Sequence, residues 1–336
     1  MSPKAINKRI VTLGEVMMRI STTSHERFIQ ARDYQVVFGG AESNVAVALA
    51  NWGYSAAHVT AFPNHDLGNA ALKYLRSSGI DTSFIYFSEG RMGIYFLEKG
   101  AMQRSSKIIY DRFYSAFSLL DSAKVDWDAV FEGADWFHWT GITPAISASA
   151  ALLCLDAIAA AREKGVKISG DINYRRNLWQ YGKSPLDIMP ELIKNTDVIV
   201  AGIPDFENCM GIQEQDFTKA CKRAQEKFPS IERISTTYRE GISSSHNRLE
   251  GVLWDGKELF HSKKYDLSNI VDRVGGGDAF MAGLIHGMLN LNDQEALDFA
   301  VASSVLKHSI PGDENYVSVD EVNQLVKGEN VGKLLR

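Results

Sequence analysis

Short apolar runs of strand length alternate along the chain with longer segments in which apolar residues recur at helical spacing. In AESNVAVALANWG, Val45, Leu49 and Trp52 fall on one helical face, and Gly53 provides a stop signal. Alternating strands and helices are typical of a mainly parallel sheet with helices on both faces. The pattern therefore predicts an α/β fold in a single domain that covers residues 1–336.

The individual elements are predicted from the same periodicities. Strands are expected at Arg9–Leu13 and in the segments AHVTAF, DWFHWT, VKISGD, TDVIVAG and IERIST. Helices are expected at Asp66–Gly79, Ser147–Gly165, Leu186–Asn195, Gln213–Phe228 and Glu295–His308. The segment GVLWDGKELF is apolar on both sides of Asp255-Gly256, which indicates a β-hairpin.

Two regions interrupt this alternation. Ile20–Val37 and Glu89–Phe113 have strand-like patterns without an intervening helix. We interpret them as a small β-sheet lid that stands off the main sheet and is formed by about residues 15–38 and 89–114. Because exposed strand edges pair readily with other strands, we expect a homo-oligomer joined through the lid sheet.

Composition narrows the class of protein. With 336 residues, 45% of them hydrophobic and 23% charged, the chain has the composition of an ordinary globular protein. The net charge of −5 gives no basic footprint for a nucleic acid, and no segment has the length of a membrane span. Scattered cysteines and the lack of a secretory leader favour the reducing cytoplasm. We therefore expect small-molecule ligands rather than a nucleic acid or a membrane.

The segment DRVGGGDAFMAGLIHGML joins three glycines to an aspartate at the start of an apolar helix. Phe280, Leu284 and Met288 repeat every four residues, so a buried helix is expected to begin near Gly277. The first amides of a helix attract anions, and glycines let a phosphate approach the backbone closely. Asp278 would repel a phosphate unless it takes the proton of a hydroxyl that accepts a phosphoryl group. The alternative is that Asp278 only caps the helix.

A second glycine pair, Gly39-Gly40, precedes the helix that contains Asn44. This pair and the late GGGD helix, in this order, resemble the ribokinase-like (PfkB) carbohydrate kinases over nearly the whole chain. The resemblance implies a three-layer ribokinase-like fold with a β-sheet lid, and phosphoryl transfer that uses ATP and Mg²⁺. It also implies that Gly39, Gly40 and Asn44 contact the sugar and that Asp278 is the catalytic base. The implied anion hole is formed by Gly275, Gly276 and Gly277.

The segment SGDINYRRNLWQ follows a predicted strand, at the end where parallel sheets bind ligands. Its pattern D-x-N-x-R-x-x-L-W resembles the 2-keto-3-deoxygluconate kinases of the family, in which Arg175 would meet a sugar carboxylate. In GIYFLE and KIIYDRF, the same resemblance places Tyr95, Tyr110 and Arg112 on the sugar acid. Arginine suits this ligand because it binds a carboxylate through two parallel hydrogen bonds. The open alternatives are a solvated loop for Arg175, lid core for Tyr95, and a solvated edge-strand face or a dimer contact for Tyr110 and Arg112.

Several family motifs are altered in this chain. Where the family has D-T-x-G-A-G-D, Arg273 replaces the threonine and Gly276 the alanine. Where the family has N-x-x-E for magnesium, the chain reads GIPD, which leaves Asp205 as the candidate metal residue. The nucleotide loop K-x-G-x-x-G is replaced by TTYREG, in which Arg239 is expected to supply the charge of the lost lysine. The implied nucleotide contacts are Thr236, Arg239, Gly241, Gly275 and Gly277. Asp272 is the candidate for a monovalent cation such as K⁺.

Together these features predict transfer of the ATP γ-phosphoryl group to a terminal hydroxyl of 2-keto-3-deoxygluconate. The rivals are a kinase of a neutral sugar such as fructose or ribose, and a sugar-acid sensor that keeps the fold without turnover. The altered motifs favour the sensor, whereas the retained Asp278 argues against it. A nicotinamide-dependent oxidoreductase is excluded because VTLGEVMMRI has only one glycine after the first strand. The gluconate-derived acid and its galactonate-derived epimer both remain open.

Overall fold

A large, mainly parallel sheet forms the centre of the computed structural model, which describes residues 6–329. In chain order the strands are β1 (Ile6–Leu13), β2 (Met17–Thr22), β3 (Tyr34–Gly39), β4 (Tyr54–Pro63), β5 (Ile85–Ser88), β6 (Ile94–Glu98), β7 (Lys107–Asp111), β8 (Trp136–Thr140), β9 (Lys167–Asp171), β10 (Val198–Val200), β11 (Arg233–Ser243), β12 (His246–Trp254), β13 (Leu259–His261) and β14 (Tyr265–Ser268). The central sheet has the order β13-β12-β11-β10-β9-β8-β1-β4-β5, and β14 also pairs with β12. From β5 to β11 all neighbours pair in parallel, and the antiparallel β12–β13 pair confirms the predicted hairpin.

Helices cover both faces of this sheet. They are α1 (Ala41–Asn51), α2 (Asp66–Ser77), α3 (Trp127–Val130), α4 (Thr143–Ile146), α5 (Ala148–Glu163), α6 (Pro185–Ile193), α7 (Ile203–Met210), α8 (Phe217–Lys227), α9 (Gly276–Asn290), α10 (Asp293–Lys307) and α11 (Val319–Lys327). One apolar core joins Phe137 of the sheet to Leu153 and Met189, and another core contains Leu49 and Phe280. Side chains alternate between these cores along each strand, so the predicted three-layer α/β class is confirmed. No helix within residues 6–329 has the length and apolar character needed to cross a membrane.

The lid regions form a separate sheet of four strands in the order β3-β2-β6-β7. Its strands lie within the two regions that the sequence predicted, except that β3 extends to Gly39. Cross-strand pairing aligns Arg19, Tyr95 and Tyr110 on the face towards the central sheet. The opposite face presents an apolar row. Its members are Val36, Ile20, Phe96 and Ile109.

Four helices were not predicted: the one-turn helices α3 and α4, and the longer helices α7 and α11. In α7, Ile203, Phe206 and Met210 have helical spacing, but Pro204 near the start weakens the pattern although proline is favoured in a first turn. The capping carboxylate of Asp205 accepts a hydrogen bond from the amide of Gly202 and fixes where α7 begins. The other longer helix, α11, buries only Val322.

Candidate active site

A cavity of about 560 Å³ opens between the lid sheet and the carboxyl ends of the central strands. Glu15 follows β1, Ile142 follows β8 and Asp171 ends β9, and all three line this cavity. Open α/β sheets bind ligands at this edge. The lining includes every residue that the sequence placed on the sugar. These are Gly39, Gly40, Asn44, Tyr95, Tyr110, Arg112, Arg175 and Asp278.

Asp278 lies in the first turn of α9 and lines this cavity. Its Oδ2 accepts a hydrogen bond of 2.6 Å from Nδ2 of Asn44 in α1. Burial raises the pKa of Asp278 to about 7, while the hydrogen bond from Asn44 acts in the opposite direction. A carboxyl group with this pKa exchanges a proton readily near neutral pH. Gly275 caps α9 without any side-chain hydrogen bond, so the alternative that Asp278 caps the helix is wrong.

The glycines before Asp278 shape the start of α9 in different ways. Gly275 has a φ of +82°, and a Cβ there would lie 1.7 Å from the carbonyl oxygen of Asp313. A Cβ at Gly277 would meet nothing within 4 Å, and this residue borders the cavity. The amides of Gly277 and Asp278 have no hydrogen-bond acceptor within the described chain. The helix start therefore offers free N–H groups to an anion.

The first glycine pair, Gly39-Gly40, lies at the start of α1 and also lines the cavity. Gly40 is the N-cap of α1, and its amide donates a hydrogen bond of 3.3 Å to Oδ1 of Asn44. A Cβ at Gly40 would lie 2.1 Å from the carbonyl oxygen of Glu15. Only glycine fits this position, which brings the α1 backbone against the loop after β1. Asn44 thereby links the Gly39-Gly40 turn to the carboxylate of Asp278.

A buried charged cluster lies behind the loop that precedes α9, and it was not predicted from the sequence. Arg19 of the lid strand β2 donates to Oδ2 of Asp272 at 2.6 Å and also to Asp313. The hydroxyl of Tyr95 donates to Asp313 as well. Since Arg19 and Tyr95 belong to the lid, the cluster ties the lid to the loop that precedes α9. The only signal in the sequence was a charged residue between the apolar Met18 and Ile20.

Asp272, the candidate for a monovalent cation, is already surrounded by protein donors. Besides Arg19, its carboxylate accepts hydrogen bonds from the amides of Val274 at 3.2 Å and Gly312 at 3.2 Å. The buried side chain of Lys307 lies nearby, with its pKa lowered by burial against the attraction of Asp272. These groups balance the charge of Asp272 without a further cation.

The residues predicted to bind the sugar acid differ in whether protein groups already occupy their side chains. Arg175 is exposed on the cavity wall and forms no ion pair within residues 6–329. Arg112 is buried, and its Nε and Nη2 donate to Oε2 of Glu15 at 2.7 and 2.5 Å. The ring of Tyr110 is half-exposed and lies 5.9 Å from the ring of Tyr95. Arg175 is thus the arginine of this group without a direct ion pair, although its charge favours the ionised forms of Asp171 and Asp205, whereas Glu15 neutralises Arg112.

A smaller cavity of about 350 Å³ adjoins the first one at Gly277 and Asp171. Burial raises the pKa of Asp171 to about 8, and the negative charges of Asp205 and Asp278 contribute to this rise. Both carboxylate oxygens of Asp205 already accept hydrogen bonds, at 2.8 Å from the amide of Tyr174 and at 2.7 Å from that of Gly202. Asp205, the candidate metal residue, is therefore held as a helix cap at the edge of this cavity.

The nucleotide residues predicted in TTYREG are divided between the cavities. Thr236 lines the smaller cavity, and Arg239 lines the larger one. Gly241 lies in β11 opposite Asn247 of β12 and borders neither cavity. The segment is a continuous strand of a hairpin rather than a glycine loop.

Comparison with known proteins agrees with this arrangement. Residues 7–316 match the sequence profile described as "pfkB family carbohydrate kinase". A 2-dehydro-3-deoxygalactonokinase of Haloferax volcanii is 30% identical over 327 residues, which are 96% of this chain and 98% of the relative. A 2-dehydro-3-deoxygluconokinase of Bacillus subtilis is 29% identical over 90% of each chain. The crystal structure of 2-dehydro-3-deoxygluconokinase from Thermotoga maritima superposes with a TM-score of 0.92 at 38% identity, covering 96% of this chain and 99% of that one. The protein whose lid, paired glycine turns and Asp278 are described above therefore belongs to the pfkB family of carbohydrate kinases.

Proposed function

We propose that this carbohydrate kinase phosphorylates a terminal hydroxyl of 2-keto-3-deoxygluconate with ATP, and that Asp278 is its catalytic base. The observation that supports this most is the carboxyl group of Asp278, with a pKa of about 7, beside the free amides at the start of α9. A group with this pKa is partly ionised at neutral pH and is suited to accept a hydroxyl proton. The names of the relatives from Bacillus subtilis and Thermotoga maritima point to the same acceptor.

The chemical step follows from this geometry. Asp278 takes the proton of the acceptor hydroxyl while that oxygen attacks the γ-phosphorus. The bond from the γ-phosphorus to the bridging oxygen breaks, and ADP leaves with the bond's electrons. The backbone amides of the anion hole donate to the oxygens of the moving group and offset its charge. We assign this hole to Gly275, Gly276 and Gly277. The amide of Gly276 already donates to the carbonyl oxygen of Arg273 at 3.4 Å, whereas the amide of Gly277, which borders the cavity, has no acceptor among the described residues.

The carboxylate of the acceptor is assigned to Arg175. Its guanidinium lies on the cavity wall without a direct ion pair within residues 6–329, so it is free to form one with the carboxylate of a sugar acid. Arg112 keeps its pair with Glu15 and contributes through its remaining nitrogen, next to the ring of Tyr110 at 5.9 Å. A neutral sugar would leave Arg175 without a direct ion pair, which favours the acid over fructose or ribose.

Mg²⁺ bound with ATP fits the carboxylates of the smaller cavity. Asp171 and Asp205 line this cavity, and the negative charge of Asp205 contributes to the raised pKa of Asp171. When bound, Mg²⁺ would offset the charge of the nucleotide phosphates. Asp171 and Asp205 would hold it through water, since no cluster of three or more His, Cys, Asp or Glu side chains within residues 6–329 could ligate a metal directly. K⁺ is not included in this proposal, because Arg19 and Lys307 already balance Asp272.

The lid has two proposed roles. Over the sugar it excludes water, so that ATP is not simply hydrolysed.

The outer face of the lid presents Val36 and Ile109, which are 52% and 54% exposed, in one apolar row. A second copy of the chain would cover this row, which gives the homo-oligomer through the lid a physical reason.

A panel of acceptors tests the function. ADP release is measured with 2-keto-3-deoxygluconate, its galactonate-derived epimer, fructose and ribose, for the wild type and for Asp278→Asn and Arg175→Met. We expect turnover on the sugar acids, a loss of orders of magnitude in kcat for Asp278→Asn with sugar binding retained, and a large rise in KM for Arg175→Met.

Each alternative function predicts a different result in this assay of acceptors. Equal rates on fructose or ribose, unaffected by Arg175→Met, would identify a neutral-sugar kinase. Tight binding of the acid by calorimetry without ADP release would identify a sensor. Near-normal turnover of Asp278→Asn would remove Asp278 from the role of base.

A further inference from the structure

The last residue of α10, Lys307, is a buried lysine that lines neither of the two adjoining cavities. Its side chain is 0% exposed. Nζ donates one long hydrogen bond, of 3.4 Å, to the carbonyl oxygen of Ile310, and it forms no ion pair within 4.0 Å among the described residues 6–329. Lysine is seldom fully buried without a close partner, because its charge is costly to remove from water. The position of Lys307 therefore needs a physical reason.

The end of α10 supports the start of α9. The hydroxyl of Ser304 donates a hydrogen bond of 2.7 Å to the carbonyl oxygen of Gly276. Cε of Lys307 would lie 3.2 Å from a Cβ built on Gly275. The charged end of Lys307 is thus beside the turn from which α9 and Asp278 follow.

Lys307 also lies beside a pair of buried carboxylates that share one arginine. Asp272 and Asp313 are both paired with Arg19, which leaves one of the two negative charges uncompensated by that residue. Lys99 of the lid approaches Asp272 only to 3.9 Å. Burial lowers the pKa of Lys307, as does the charge of Arg19, while Asp272 and Asp313 attract the charged form. The two carboxylates therefore have a use for the positive charge of Lys307.

The surroundings of Asp272 do not suit a bound monovalent cation such as K⁺. A K⁺ ion is bound by a shell of oxygen atoms. Here the carboxylate oxygens of Asp272 already accept from Arg19 and from the amides of Val274 and Gly312. An ammonium group within the chain can supply positive charge at this place without such a shell.

We propose that the ammonium group of Lys307 is a built-in cation, which keeps the turn before α9 in its active shape and makes the kinase independent of monovalent cations. The inference rests on the proposed function, because this turn sets the position of Asp278 and of the first amides of α9. Lys307 is a positioning residue, since it lines neither cavity and acts on the substrates only through the turn.

Rates in different salts test the built-in cation. With the best acceptor of the panel above, the wild type should have the same kcat in KCl, NH₄Cl and choline chloride at one ionic strength. Lys307→Met keeps the apolar length of the side chain and removes its charge. Its kcat is expected to fall by about tenfold or more with KM for both substrates little changed, because a small displacement of catalytic groups slows the chemical step. Lys307→Ala leaves space for a small cation, so ammonium or methylammonium should restore part of the lost rate.

The matched control is Lys227→Met. Lys227 is likewise the last residue of its helix, α8, and donates a hydrogen bond of 2.7 Å to the carbonyl oxygen of Met210. It lines neither the larger nor the smaller cavity. Its removal should change neither kcat nor the response to ammonium.

Two further measurements separate a charge effect from a packing effect. The acid limb of kcat/KM should move to higher pH in Lys307→Met, because the attraction of Lys307 for ionised Asp278 is lost while Asp313 and Glu42 still oppose its ionisation. Without substrates, Lys307→Ala should melt below the wild type in choline chloride and regain part of the difference in NH₄Cl. The wild type should melt at the same temperature in all three salts.

The proposal is overturned by a wild type that K⁺ or NH₄⁺ activates several-fold over choline, and this test does not depend on whether the variants fold. Equal kcat for Lys307→Met and the wild type also overturns it. So does a loss in Lys307→Ala that neither ammonium nor methylammonium relieves in rate or melting temperature. A wild type with no turnover on any acceptor rejects the proposed function instead, and the melting temperatures then test Lys307 alone.

Discussion

Asn44 of α1 donates a hydrogen bond of 2.6 Å to the carboxylate of Asp278 at the start of α9. This bond joins two glycine turns that are far apart in the sequence, because Asn44 also accepts from the amide of Gly40. It stabilises the ionised form of Asp278, whereas burial stabilises the protonated form, and the balance gives a pKa of about 7. Asn44 therefore sets the pH range in which Asp278 can act as a base.

The first prediction concerns the pH profile. In Asn44→Ala the donor to the ionised carboxylate is lost, so the pKa of Asp278 should rise above about 7. The acid limb of kcat/KM is expected to move to higher pH by roughly one unit, with a larger loss of rate at pH 6 than at pH 8.5. The control is Asn51→Ala in the same helix, which bonds only to the carbonyl oxygen of Val317. An acid limb that does not move in Asn44→Ala would contradict this account.

The second prediction uses two glycines of the anion hole. Gly277→Ala adds a methyl group into open space and should leave the melting temperature almost unchanged. Because the methyl group projects where a phosphoryl group must approach the backbone, kcat is expected to fall by about tenfold or more. Gly275→Ala should instead lower the melting temperature, since its φ of +82° and the carbonyl of Asp313 leave no room for Cβ. Full activity of Gly277→Ala would mean that no anion approaches this amide closely.

The sequence could predict what depends on neighbouring residues. The helix after GGGD and the hairpin at Asp255-Gly256 follow from local spacing, and the structure has both of them. The three-layer fold is predicted for the same reason, because the alternation of strands and helices is itself local.

What the sequence could not predict depends on pairs that only the tertiary fold creates. Arg19 and Asp313 are 294 residues apart, and neither lies in a motif. The pairing of Arg112 with Glu15 spans 97 residues and changes the predicted role of Arg112 from a free carboxylate binder to a neutralised one. A charged side chain that is buried away from water needs a counter-charge beside it. That counter-charge can come from any part of the chain that the fold brings close, so its position cannot be predicted from local sequence.

The third prediction concerns the attachment of the lid. Arg19→Met leaves Asp272 and Asp313 buried without their shared partner, so the free energy of unfolding should fall by about 3–5 kcal/mol. The matched control is Arg91→Met, which breaks an exposed pair with Asp111 in the same lid and should cost at most about 1 kcal/mol. Both values come from urea unfolding. Equal losses in the two variants would show that the buried cluster does not hold the lid.

The fourth prediction is a pH dependence of stability that comes from Asp171. Its pKa is about 8 in the folded protein, well above the value of about 3.9 for an exposed aspartate. Between these two values the folded protein binds more protons at this site than the unfolded chain does. Stability should therefore fall as pH rises from about 4 to about 8, and the loss should be complete above that range.

Asp171→Asn removes this titration while keeping the shape of the side chain. At pH 5 the variant and the wild type should melt at similar temperatures, because Asp171 is protonated and neutral in the folded wild type. At pH 8.5 the variant should melt higher by on the order of 5 °C, since it no longer places a charge beside Asp205 and Asp278. Adding Mg²⁺ with ATP should narrow the gap, because a cation near Asp171 would favour its ionised form in the wild type alone. A gap of the same size at both pH values would mean that Asp171 is ionised throughout, and that the crowding of carboxylates beside Asp278 does not shift its proton affinity.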